Sequence, residues 1–205
     1  MTNHFRALLA AMFCAVVFVS LGCSGRPSRV NPPSIDSAAA GPAAMEQYDT
    51  NKDGKVAGAE LQAAPSLMAA IQNLDKDGDR AVSAEEVTNR VLAWQESKTG
   101  LTPVTCTVTF RGQPLAGAKV VFEPEQFLGD NIKACEGTTN QRGMASLSIP
   151  NSERKLPGGA PGLYLIRITS TNAQIPAQYN TQTKLGAEVA NDSATAERGV
   201  TLNLQ

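Results

Sequence analysis

The chain has 205 residues, with 18 lysines and arginines against 19 aspartates and glutamates, a formal net charge of −1. That balance offers no basic surface for nucleic acid. The only histidine, His4, falls in an N-terminal segment that reads as an export signal. The mature chain therefore lacks Ser–His and Cys–His nucleophilic sites and histidine-ligated zinc, and an enzyme is not expected.

Residues 1–22 carry one early positive charge, Arg6, then an apolar run from Ala7 to Leu21, then Gly22 before Cys23. The run is short for a membrane span. Ser20-Leu21-Gly22-Cys23 resembles the bacterial lipoprotein signal, which implies lipidation at Cys23 and anchoring to a membrane of the cell envelope, on its periplasmic or extracellular face. Ordinary signal cleavage is the alternative, and either route takes the chain out of the cytoplasm. Residues 23–42, rich in Ser, Pro, Ala and Gly without periodicity, read as a flexible tether.

Residues 43–100 read as helices around two acidic loops. Asp49, Asn51, Asp53, Lys55 and Glu60 stand at positions 1, 3, 5, 7 and 12 of the first loop. Asp75, Asp77, Asp79, Ala81, Ser83 and Glu86 stand at positions 1, 3, 5, 7, 9 and 12 of the second. A hard cation such as calcium takes six to eight oxygens, supplied by side chains at 1, 3 and 5, a backbone carbonyl at 7 (here of Lys55 or Ala81) and a two-oxygen carboxylate at 12. The expectation is up to two calcium ions. Acidic turns between helices are the bland alternative.

Met45 and Tyr48 precede the first loop at the same offsets as Ile71 and Leu74 precede the second, the mark of a repeated helix–loop unit. Gly54 holds position 6 of the first loop, where a left-handed backbone is needed, but Arg80 holds it in the second. Val56 and Val82 share position 8, where paired loops touch through a short β-bridge. The loops start 26 residues apart, at Asp49 and Asp75. Pro65 should end the first exit helix early, with Ser66 capping the next. Leu67, Ile71 and Leu74, and likewise Val87, Val91 and Trp94, give each later helix one apolar face. Ser83 and Glu86 have capping-box spacing, and Gly100 should stop the last helix.

From residue 104 the period becomes two. Val104, Cys106, Val108 and Phe110 alternate with polar residues; Ala118, Val120 and Phe122 follow a turn at 111–114. Another turn at 140–143 leads to Ala145, Leu147 and Ile149, then Tyr164, Ile166 and Ile168, and finally Val200, Leu202 and Leu204. Cys106 and Cys135 could bridge in an oxidising compartment or remain buried free thiols. Glu123, Glu125 and Asp130 read as solvated loop charges. Trp94 and Tyr164 read as core rather than as a platform for carbohydrate.

Residues 45–96 resemble a bacterial EF-hand pair. Residues 104–205 resemble the transthyretin-like, carboxypeptidase-regulatory-like β-sandwich, through Gly112-Gln-Pro114-Leu115, Gly137-Thr-Thr139-Asn140-Gln-Arg-Gly143 and Pro161-Gly162-Leu-Tyr164; the stretch from Ile175 to Val189 looks like the late part of such domains in small envelope lipoproteins. The resemblances imply an α+β multidomain chain, a small all-α EF-hand pair followed by an all-β sandwich of about seven strands. The functional expectation is calcium binding of a structural kind by a non-enzymatic lipoprotein. A dockerin-like interaction or adhesion module, with an envelope protein or glycan as partner, is the alternative.

Overall fold

The computed structural model describes residues 30–150 and 156–205. The signal segment and Cys23 lie outside the described residues, so export and lipidation stand as expectations. Among the described residues no helix is long and apolar enough to cross a membrane. The chain is a mixed α+β protein.

Four helices come first: α1 (Ser37–Tyr48), α2 (Gly58–Ala63), α3 (Pro65–Leu74) and α4 (Ala84–Glu96). Helix α1 starts earlier than its composition suggests, inside the expected tether. The Asp36 carboxylate accepts hydrogen bonds from the amides of Ala38 and Ala39 and so caps it. A proline at position 42 would ordinarily oppose an interior helical turn. Tertiary packing overrides it: Ala40, Gly41 and Ala44 are buried, and a Cβ on Gly41 would lie 2.1 Å from the Ala84 carbonyl oxygen of α4. Residues 30–36 are also held. Ile35 is buried and its carbonyl accepts from Gln95 Nε2, while Asn131 Nδ2 donates to the Ser34 carbonyl.

Pro65 separates α2 from α3 as expected, standing at the first turn of α3, where its missing N–H costs nothing. Ser66 is not the cap; Ala64 holds that place, and the Ser66 hydroxyl donates instead to Glu125. The Ser83–Glu86 capping box forms at the start of α4. Gly100 is not the stop. Lys98 takes the left-handed conformation, with φ 54°, two residues past the helix, and Gly100 is instead packed against the Val30 backbone.

The remaining chain forms two four-stranded sheets. In the first, β3 (Thr105–Phe110) lies between β10 (Val200–Leu204) on one side and β4 (Gln113–Pro114) and β7 (Met144–Ser146) on the other. In the second the order is β6 (Cys135–Thr138), β5 (Lys119–Pro124), β8 (Gly162–Thr169), β9 (Gly186–Val189). Among the described residues these two sheets hold eight strands. Strand β10 pairs parallel to β3, setting Leu202 beside Val108; every other strand pair is antiparallel.

Alternation places most of the anticipated residues inward: Val104, Cys106, Val108, Ala118, Val120, Phe122, Ala145, Leu147, Ile166, Ile168, Leu202 and Leu204 are buried, as is Tyr164, whereas Phe110, Ile149 and Val200 are only partly buried. Strand β8 is buried on both faces at its start, including Leu163, because α3 packs on β8 and β9. At the 111–114 turn Arg111 and Gly112 both have positive φ, 50° and 78°, giving the twist that a two-residue hairpin needs. At the next turn, Asn140 Oδ1 accepts from the amides of Arg142 and Met144. Helices and sheets contribute to one contiguous apolar core.

Cys106 and Cys135 sit in different sheets as buried free thiols, not as the disulfide held open by the sequence. Burial pushes their pKa values up, to about 11 and about 12, which keeps the thiolate scarce and the thiols inert. In the mature chain both are expected to resist a thiol reagent until the protein is unfolded, and then to label without prior reduction. Peptide mapping of the labelled chain is the check; failure to label after unfolding would mean a bridge.

Candidate metal centre

The acidic loops join α1 to α2 and α3 to α4. Strands β1 (Lys55–Ala57) and β2 (Ala81–Ser83) tie them together, antiparallel, with Val56 opposite Val82 as expected. Both valines are fully buried, so the bridge is anchored in the core.

The two loops share one internal wiring. Position 1 accepts the amides of positions 4, 5 and 6: Asp49 from Lys52, Asp53 and Gly54, at 2.6, 3.2 and 2.9 Å. Asp75 accepts likewise from Gly78, Asp79 and Arg80, at 2.7, 3.2 and 2.9 Å. Position 3 accepts the amide of position 5, through Asn51 and Asp77. Position 5 accepts the amide of position 7, through Asp53 and Asp79. Position 12 folds back over the loop, Glu60 onto the amides of Thr50, Asn51 and Ala57, and Glu86 onto those of Lys76 and Ser83. The Thr50 hydroxyl and these amides hold the Glu60 carboxyl below its ordinary range.

Backbone geometry repeats as well. Positions 4 and 6 both have positive φ: Lys52 at 61° and Gly54 at 89°, then Gly78 at 78° and Arg80 at 64°. The glycine has simply moved from position 6 to position 4, and the register of the second loop is unchanged. Arg80 therefore holds a conformation that costs an L-residue about 1 kcal/mol. Arg80→Gly is expected to stabilise the second loop by up to that amount, measured as a shift in the denaturation midpoint; a destabilised protein would show that the Arg80 side chain contributes more than its backbone costs.

In the second loop, carboxylate oxygens of Asp75, Asp77 and Glu86 lie within 4.8 Å of one another. Three like charges at that spacing repel, and a cation among them would relieve the repulsion. The donor set of both loops is oxygen alone, which suits a hard divalent cation rather than a soft one. Ser83 is engaged in the helix cap, its hydroxyl donating to Glu86 Oε2 at 2.9 Å. The ammonium of Lys55, reaching across from the first loop, pairs with Asp79 and stands 3.8 Å from Asp77. That pairing holds Asp79 below the usual carboxylate range.

Two polar clusters escape the sequence pattern. Glu125 is not solvated: it is 1% exposed and accepts from Ser66, Tyr48 and Gln47. Burial raises its pKa. Glu188, in β9, accepts from Arg90, Trp94 and Asn73, and Arg90 also forms two bonds to Asp192. One signal was available for the second cluster, since Arg90 falls between Val87 and Val91 on a helix whose apolar face ends at Trp94. Trp94 and Tyr164 are core residues as expected, the phenol donating to the Ala160 carbonyl.

No protein-family model matches the chain, and no curated protein matches it.

Proposed function

We propose that this chain binds calcium through an EF-hand pair and is a non-enzymatic lipoprotein of the cell envelope, held to a membrane at Cys23. The observation that carries the reading is that two loops of different sequence repeat the same hydrogen bonds at positions 1, 3 and 5, the same φ signs at 4 and 6, and a position-12 carboxylate folded onto the amides of positions 2 and 9. Acidic turns formed by chance have no reason to agree at positions 1, 3, 4, 5, 6 and 12. Asp49, Asn51, Asp53 and Glu60 would hold one ion with the Lys55 carbonyl; Asp75, Asp77, Asp79 and Glu86 would hold the other with the Ala81 carbonyl. Ser83, committed to its cap, would act through a water. Asp79 would have to release Lys55, which favours the first loop as the tighter site.

Residues 104–205 would be the transthyretin-like sandwich, its two sheets sharing the apolar core described above. Calcium would be structural. The apolar face of α3 packs on β8 and β9 and that of α4 packs chiefly on α1, so the buried faces of both helices are already covered within the chain. Calorimetric titration of calcium into the mature chain tests the reading. Two sites are expected in wild type and one in each of Glu60→Gln and Glu86→Gln, because position 12 supplies two oxygens. No heat at millimolar calcium would overturn it.

A further inference from the structure

Two carboxylates that lie in neither loop, Glu125 and Glu188, come from the β part and end among helix residues that flank the loops. Tyr48, whose hydroxyl donates to Glu125 Oε1 at 2.9 Å, is the residue immediately before Asp49. Its neighbour Gln47 donates to Oε2 at 3.1 Å, and Ser66 of α3 donates to Oε1 at 2.5 Å. The Tyr48 ring also meets Phe127 edge-on, with centroids 6.3 Å apart. Asn73, whose amide donates to Glu188 Oε2 at 2.7 Å, stands two residues before Asp75. Arg90, donating to Glu188 Oε1 at 2.5 Å, stands four residues after Glu86, one helical turn beyond the loop's last acid.

We propose that Glu125 and Glu188 are positioning residues for ion binding, Glu125 fixing the helix end that enters the first loop and Glu188 fixing both helices that flank the second. The inference rests on the calcium reading above. A buried carboxylate is costly unless fully partnered, and an apolar side chain at either place would join helix to sheet without that cost. Directional bonds do something an apolar contact does not: they fix the height and rotation of the helix ends. Positions 1 and 12 lie at those ends. With the ends held, the first and last ligands need little reordering when an ion arrives, and less of the binding energy goes into ordering the site. Linkage then requires the converse, that an ion in each loop tightens the corresponding helix–sheet junction.

The test uses the mature chain and calcium itself, with Glu86→Gln as the background that leaves the first loop competent and Glu60→Gln as the one that leaves the second. Tyr48→Phe removes one donor to Glu125 while keeping the ring. Asn73→Ala removes one donor to Glu188 and touches neither set of ligands. Tyr48→Phe is expected to weaken calcium at the first loop roughly five- to tenfold and leave the second loop unchanged; Asn73→Ala should do the reverse. Ser66→Ala, at the end of α3 away from Asp75 and outside both sets of ligands, should reproduce the Tyr48→Phe effect, and circular dichroism establishes that each variant is folded. A purely structural clasp would soften both loops alike or neither, and either result overturns the proposal. If wild type takes up calcium and the variants match it, only this inference falls; if wild type takes up none, the calcium reading falls with it.

Discussion

Saturating calcium is expected to raise the melting temperature of the whole chain, and a chelator to lower it. An ion that binds only the native state adds RT ln(1 + [L]/Kd) to stability, roughly 2.7 kcal/mol per site at 100 times the dissociation constant. The shift should appear in one transition rather than in a separate helical one. Val56 and Val82 of the loop bridge, Leu67 and Leu74 of α3 and Ile166 and Ile168 of β8 belong to one buried cluster, so the loops cannot be released without exposing the sheets. Glu60→Gln and Glu86→Gln should each remove about half of the calcium-dependent increment. Scanning calorimetry of the three proteins, with and without chelator, is the measurement. Identical curves in calcium and chelator would reduce the loops to acidic turns.

The parts of this structure that could be read from sequence are those set by local chemistry. Alternate acids closed by a glutamate, the Ser83–Glu86 box, the break at Pro65, the period-two runs and the Asn140 turn each follow from residues within about a dozen positions of one another. What stayed hidden depends on long-range partners. Pro42 and a run of small residues argue against a helix until Gly41 is seen against Ala84. Ser66 has every attribute of a cap, but Pro65 fills the first turn and Glu125, 59 residues away, takes the hydroxyl. The parallel pairing of β10 with β3 joins strands nearly a hundred residues apart, and no periodicity reveals orientation.

Glu125 and Glu188 show why charge is read correctly only with its neighbours. By type each belongs on the surface. Each is buried because donors from the helices converge on it, Tyr48, Gln47 and Ser66 on Glu125 and Arg90, Trp94 and Asn73 on Glu188, with Ser66, Arg90 and Trp94 on the buried helix faces. The shared core follows from the same faces. Helix α3 has an apolar side, and strand β8 is apolar on both faces at its start, so each leaves a surface that needs a cover. They cover each other.

Arg90→Ala is expected to be among the most damaging single substitutions available. The guanidinium is 7% exposed, lies 2.5 Å from Glu188 Oε1, and closes a second pair with Asp192. The Asp192 carboxylate is 57% exposed and can return to water when its partner goes. Glu188 cannot: its side chain is 3% exposed, and without Arg90 it would keep only the neutral donors Trp94 and Asn73. Removing one member of a buried pair typically costs 3–5 kcal/mol, most of it from the charge left behind, so roughly 3 kcal/mol is expected here after allowing for the two surviving donors. Arg90→Met strands the same charge, and adding Glu188→Met to it should recover much of that variant's loss, because it removes the charge and fills the space with apolar volume, although Trp94 Nε1 then lacks its acceptor and retains a cost of about 1 kcal/mol. Urea unfolding of the single and double variants gives both values. A single variant within about 0.5 kcal/mol of wild type would mean that water reaches Glu188 and that the Arg90 pair contributes little to joining helices and sheets.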